Sequence, residues 1–187
     1  MSAVPPCEPI QVRSATLADV AAIARCHTRS IRLAYQNFLA ASDSAIFTED
    51  QAAARLAQQI ASRDNVLVAL SEGFVIGHAR WGEVDADYWP YQVLVHSLFI
   101  DPDHQRVRAG SALLAECALG AHRRGFVGMM IGAFVENRPA LDWYSRQGGR
   151  LIETAPLEVG SNPYLSAFLA FDDLDGLREQ LTSPRKH

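Results

Sequence analysis

Residues 98–119, LFIDPDHQRVRAGSALLAECAL, constrain this chain more than any other stretch: a short apolar strand passes through a polar turn containing Pro102 into a helix that starts near Ala109. Ala109, Leu113, Leu114, Cys117, Ala118 and Ala121 recur at helical spacing, so one face can pack on a sheet while Glu116, His122 and Arg123 stay in water. The first backbone N–H groups of such a helix have no partner within it and carry the positive end of its dipole, here beside Arg106 and Arg108. A phosphate or pyrophosphate fits there. The plainer alternative is an ordinary strand-to-helix turn with solvated arginines.

The flanking sequence supplies the sheet. Residues 10–13 read as a first strand, Thr16 can cap a helix to about Arg25, and the helical spacing resumes with Ile31, Ala34, Tyr35 and Phe38. Tyr35 then faces either a central cleft or the core. SDSAIF reads as a loop, and Thr48 with Gln51 as the cap of an alanine-rich helix over 51–62. VLVAL at 66–70 and the β-rich run at 74–81 are joined by SEG, a hairpin signal. EVDADYWPYQ follows as an acidic, aromatic loop before QVLVHSLFI. Asp85, Asp87, Tyr88 and Trp89 could select a cationic, partly apolar substrate, or simply form a surface connection.

After the central helix, GFVGMMIGAFV is a strand, Asn137 and Pro139 open a further helix, and Gly148 with Gly149 ends it. RLIET and PYLSAFLAF are the last strands, DDLDGLREQL a terminal helix and SPRKH a tail. This alternation predicts an α/β sheet layered by helices, in one domain over residues 1–187 with its core at about 10–171.

The totals narrow the function. A chain of 187 residues that is 49% hydrophobic and 20% charged can bury a full core, and a net charge of −4 argues against a general nucleic-acid binder. Cys7, Cys26 and Cys117 form no CxxC pair, so neither a disulfide framework nor a zinc site is expected. The opening residues lack a signal-peptide pattern and no apolar run is long enough to span a bilayer, so the expected location is cytoplasmic. The nucleotide motifs GxxxxGK[ST] and GxGxxG are absent, as are HExxH and GxSxG.

PDHQRVRAGSALL resembles the acyl-CoA signature Q/R-x-x-G-x-G/A of the GNAT superfamily of N-acetyltransferases. Gln105 and Gly110 match, whereas Arg108 stands where the family has glycine. NRPALDWYSRQGGRLI is similar to that superfamily's N-x-x-A-x-x-x-Y pattern, with Asn137, Ala140 and Tyr144 matching. The segment from Val12 to Tyr35 resembles its opening. The resemblance implies a mixed, largely antiparallel α/β sheet, opened at the CoA site and flanked by helices. It also implies transfer of acetyl from acetyl-CoA to a small-molecule or peptide amine by direct attack, without a metal and with room for a homodimer.

Carried over residue by residue, the resemblance places N–H groups of Arg106, Val107, Arg108, Ala109, Gly110 and Ser111 around the pyrophosphate. Leu98, Phe99 and Ile100 would meet the pantetheine arm by strand-like hydrogen bonds, with Asn137 and Ala140 nearby. Arg108 at positive φ would cost roughly 1–2 kcal/mol; its cation then either contacts phosphate or spoils the site, which keeps a non-catalytic acyl-CoA-binding or sensory module as the alternative. Tyr144 is the expected general acid, because a phenol stays protonated at neutral pH. His96 is a candidate base, with the alternative of a structural histidine.

Overall fold

The computed structural model describes residues 10–85 and 89–183. The elements run β1 (Gln11–Ser14), α1 (Val20–Tyr35), α2 (Ala41–Ser44), α3 (Glu49–Ala61), β2 (Asn65–Ser71), β3 (Phe74–Glu83), β4 (Val93–Ile100), α4 (Ala109–Arg123), β5 (Met129–Phe134), α5 (Arg138–Arg146), β6 (Arg150–Val159), β7 (Asn162–Phe171) and α6 (Leu174–Thr182). Short 3-10 turns at Leu17–Asp19 and Pro102–His104 precede α1 and α4.

Seven strands form one sheet in the order β1-β2-β3-β4-β5-β7-β6. Every neighbouring pair is antiparallel except β4 with β5, which run parallel and are bridged in sequence by α4. The two faces are filled by separate clusters. On one, Leu113, Leu114, Cys117 and Ala121 of α4 pack with Val93, Val95, Met129 and Ile131 and with Leu174, Leu177 and Leu181 of α6. On the other, Ile23 of α1 and Leu56 of α3 cover Val66, Val68 and Leu70 of β2. The β2–β3 hairpin turns at Glu72 and Gly73, both at positive φ (51° and 81°), as a tight two-residue connection demands.

Three local readings are corrected. The helix to Arg25 and its continuation through Ile31 and Tyr35 are one element with no break between them: after the 3-10 turn it runs to Tyr35, and the start is fixed by Asp19. That carboxylate accepts from Thr16 N–H (2.7 Å) and from both terminal nitrogens of Arg13 (2.7 and 2.8 Å), and the Arg13 guanidinium holds its pKa far below the usual carboxylate range.

The expected loop over SDSAIF contains the four-residue α2. Its cause is remote: buried Asp43 accepts from the Tyr164 hydroxyl (2.6 Å), the Asn162 side-chain amide (2.8 Å) and Ser161 N–H (3.2 Å) in the β6–β7 turn. β6 also continues past RLIET to Val159, including Pro156. It is the sheet's edge strand, where a missing N–H costs no ladder bond.

Candidate active site

β4 and β5 are paired only at Leu94 with Met130 and at Val95 with Ile131. Beyond that point the two strands part, and the gap becomes a cavity of about 1030 Å³ walled by Val95–Ile100, Ile131–Ala133, the start of α4 and the inner side of α5. On the other side β4 carries an irregularity. Consecutive β3 residues Arg80 and Trp81 oppose Ser97 and Val95, so His96 is the extra residue of a bulge, a device that re-aims a side chain. His96 is thereby presented to the cavity. The residue keeps an exposed face, and partial burial of its ring, helped by the Arg80 cation, lowers its pKa to about 4.

The turn after β4 is held from α1. Arg29 bonds Asp101 (2.8 Å) and Asp103 (2.7 Å), Asp101 accepts from Asp103 N–H (3.0 Å), and the Ser30 hydroxyl donates to the Ile100 carbonyl (2.9 Å). Two non-glycine residues then adopt the left-handed region, Arg106 at φ 66° and Arg108 at φ 70°. Each costs about 1–2 kcal/mol. The first intrahelical bond of α4 runs from Ala112 N–H to the Arg108 carbonyl, leaving the N–H groups of Ala109, Gly110 and Ser111 without helical partners. Gln105, Arg106, Arg108, Ala109, Gly110 and Ser111 all line the cavity, while Val107 does not and is exposed.

The Arg108 side chain departs from the expectation of a phosphate contact. Its guanidinium donates to the carbonyls of Leu181 (2.6 Å) and Ser183 (2.8 Å) at the end of α6. Arg106, by contrast, has no hydrogen-bond or ion-pair partner among the described residues. Of the two arginines expected beside the helix start, Arg106 is thus the one whose cation is left for a ligand.

On the opposite wall, Asn137 occupies the N-cap position of α5 but its side chain makes no capping bond, and Pro139 lies in the first turn. Both face the cavity with Ala140, Trp143 and Tyr144. Gly148 (φ 90°) and Gly149 end the helix. A Cβ on Gly149 would stand 2.9 Å from the Tyr144 carbonyl oxygen, so the chain must pass that close to α5 without a side chain. Tyr144 is 5% exposed, and burial, with the nearby Tyr35 phenol adding to it, pushes its pKa well above the ordinary value. Burial likewise raises Tyr35 to about 12. Tyr35 lines the cavity and packs against Phe38 and Phe134 at ring separations of 5.3 and 5.0 Å, and neither phenol hydroxyl has a protein partner among the described residues.

Asp87 and Tyr88 lie outside the described residues, and neither Asp85 nor Trp89 lines the cavity. Trp89 packs on Phe168 of β7 (4.5 Å), Glu83 pairs with Arg124, and Tyr91 bonds Asp172 and Arg150. Among the described residues no group of three or more His, Cys, Asp or Glu side chains converges to hold a metal ion, and no helix is long and apolar enough to cross a membrane.

Residues 62–148, which span β2 through the end of α5, match the acetyltransferase (GNAT) domain model. Over that stretch the chain is similar to the GNAT acetyltransferases. It is 27% identical over 178 residues, 92% of this chain and 98% of the other, to the protein described as uncharacterized N-acetyltransferase YuaI of Bacillus subtilis (strain 168).

Solved acetyltransferase structures share the fold. An N-acetyltransferase from Staphylococcus aureus Mu50 superposes with a TM-score of 0.68 at 20% identity, covering 89% of this chain and 99% of that one. PaiA N-acetyltransferase from Thermoplasma acidophilum, solved in complex with coenzyme A, gives 0.67 at 14% identity, covering 85% and 98%. YncA from Salmonella typhimurium, solved with its cofactor acetyl-CoA, gives 0.66 at 21% identity, covering 96% and 98%.

The cavity also recruits residues that sequence reading passed over. Arg146, on the last turn of α5, adds a third arginine to the wall, and Asp142 is the carboxylate among the described lining residues. The signal for both was present. Asp142 and Arg146 lie at i and i+4 on α5 and so share a side of that helix, but which side meets the cavity depends on the parting of β4 from β5.

Proposed function

We propose that this GNAT domain transfers an acetyl group from acetyl-CoA to a primary amine by direct attack, with Tyr144 as the acid that protonates the departing sulfur. The observation that carries the reading is the cavity between β4 and β5, whose lining runs from the start of α4, with its unpartnered N–H groups, to Tyr144 of α5. Arginines stand at the α4 end, where pyrophosphate would be held by Arg106 and the N–H groups of 109–111. The half-buried strand segment of Leu98, Phe99 and Ile100, unpaired on its β5 side, suits the amides of the pantetheine arm, with Asn137 across from it.

In the reaction the amine nitrogen bonds to the acetyl carbon, the carbon–sulfur bond breaks, and the electron pair leaves on sulfur. The thiolate takes the Tyr144 proton. Burial raises this phenol, yet the same dry site raises the basicity of the thiolate, so donor and acceptor stay matched. The proton shed by the amine passes to neutral His96 or to water. Tyr35 and Phe99 form the wall beyond the reacting centre and favour an acceptor with an apolar portion. The chain acts as one domain on a small-molecule or peptide amine in the cytoplasm.

Release of thiol from acetyl-CoA across a broad amine panel tests the activity; tight CoA binding without turnover on any amine would leave the binding-module reading. Gly110 tests the site. A Cβ there meets nothing closer than 3.7 Å, so Gly110→Ala fits, whereas an indole must enter the cavity between Trp143, Leu98 and Ile100. Gly110→Trp should weaken acetyl-CoA binding by roughly tenfold or more, about 1.4 kcal/mol or above, in calorimetric titration. Equal affinity in Gly110→Trp and wild type places the ligand elsewhere.

A further inference from the structure

α6 touches both walls of the cavity. Its buried Leu174, Leu177 and Leu181 pack into the same core as α4. At its C-terminal end the Arg108 guanidinium donates to the carbonyls of Leu181 and Ser183, and the adjacent Gln180 donates to the Arg146 carbonyl (3.3 Å) and the Gln147 side-chain oxygen (3.4 Å) at the end of α5. Arg108 belongs to the turn on one side of the opening and Arg146 to the helix on the other.

We propose that Arg108 is a positioning residue, clamping the anion-binding turn onto the end of α6 so that α6 braces that turn against α5 and its own carbonyl end is screened from bound phosphate. The inference rests on the acetyl-CoA reading above. Two physical arguments carry it. The last carbonyls of a helix are the negative end of its dipole and need donors. In α6 the Thr182 hydroxyl serves the Arg178 carbonyl (2.8 Å) and the Ser183 hydroxyl serves that of Glu179 (2.6 Å), leaving Leu181 and Ser183 to Arg108. Without the guanidinium these two oxygens would stand bare beside a site built for anions.

The second argument is conformational. At φ 70° a glycine would sit without strain, so the backbone here gives no reason for arginine. The reason lies in what its side chain reaches, 73 and 75 residues further along the chain. Fixing the turn from both sides, by Arg29 and Ser30 on α1 and by Arg108 on α6, holds the N–H groups of 109–111 in place before a ligand arrives.

The test compares Arg108→Ala, Arg108→Gly and Arg108→Lys with wild type in the full chain. Hydrogen exchange without ligand should show the last turn of α6 opening faster in the alanine and glycine variants. Titration with CoA should show affinity falling about tenfold in both. Pantetheine, which lacks the pyrophosphate and nucleotide, should bind all four proteins alike. Lysine, which keeps a cationic donor, should recover part of the loss.

Unchanged exchange in α6 would overturn the clamp. Tighter CoA binding by Arg108→Gly, or equal losses for CoA and pantetheine, would overturn positioning of the anion site. Failure of the wild type itself to bind CoA would overturn the cofactor reading, and this inference with it, while the exchange result would still report on the clamp.

Discussion

Tyr144→Phe should lower kcat by about 10²–10⁴ while leaving the dissociation constant of acetyl-CoA nearly unchanged, because general acid catalysis contributes in that range and acts only once the carbon–sulfur bond begins to break. The substitution removes one oxygen from a ring that is 5% exposed and packs edge-on against Trp143 at 5.3 Å, so the apolar contacts that seat the ring persist. The hydroxyl has no hydrogen-bond partner among the described residues. Its loss therefore breaks no internal bond, and stability should stay level or rise slightly. A purely structural tyrosine would give the same stability and an undiminished kcat. Steady-state turnover on the best amine of the panel, measured beside calorimetric titration of acetyl-CoA, separates the two. An undiminished kcat in the folded variant would pass the proton-donor role to water or to another group.

What could be read from the sequence was local. The strand, turn and helix at residues 98–119 announce themselves because apolar spacing, Pro102 and the helix start all act within a few residues, and the same holds for the β2–β3 hairpin and for the two glycines after α5. The positive φ at Arg108 followed from a resemblance that puts glycine there, but its companion at Arg106 did not. Long-range contacts were invisible. The carbonyls that hold Arg108 lie in α6, and the partners that give Asp43 a helical turn lie in the β6–β7 turn, each more than seventy positions away. Asn137 shows the converse. Its type and place suggested a capping bond, yet the cap is made without its side chain, which faces the cavity. The acidic loop was judged by composition, which says what a segment can attract; of its described residues, Trp89 packs on Phe168 of β7.

Acidification from pH 7 to pH 4 should reduce the folding equilibrium constant on the order of 10³-fold or more, through one buried pair behind the cavity wall. His27 of α1 and His78 of β3 face each other, Nδ1 to Nε2 at 3.2 Å, with Phe99 stacked on His78 and edge-on to His27. Such a contact needs one nitrogen to donate and the other to accept, so at least one ring must be neutral. His78 is 1% exposed, and its Nδ1 is buried with no partner, so a proton there would find neither water nor an acceptor. Burial lowers the pKa of His27 to about 4, with Arg55 adding repulsion, and that of His78 to about 3, with His27 adding repulsion. In the unfolded chain both return to the ordinary value near 6.5. The native state thus binds fewer protons than the unfolded state between those limits. Stability is complete above about pH 6.5 and falls with decreasing pH towards the folded values. The carboxylates held low by their partners, Asp19 and Asp43 among them, lose their contribution at still lower pH, so the window from 6.5 to about 4.5 reports on the histidines, with His96 on the cavity wall adding its own share to that of the pair. Urea midpoints measured across that window should fall steeply for the wild type and much less for His27→Gln, which removes one titrating ring and keeps a polar group opposite His78. A flat wild-type profile would mean that the pair gains a proton without penalty and that the two rings do not meet as described.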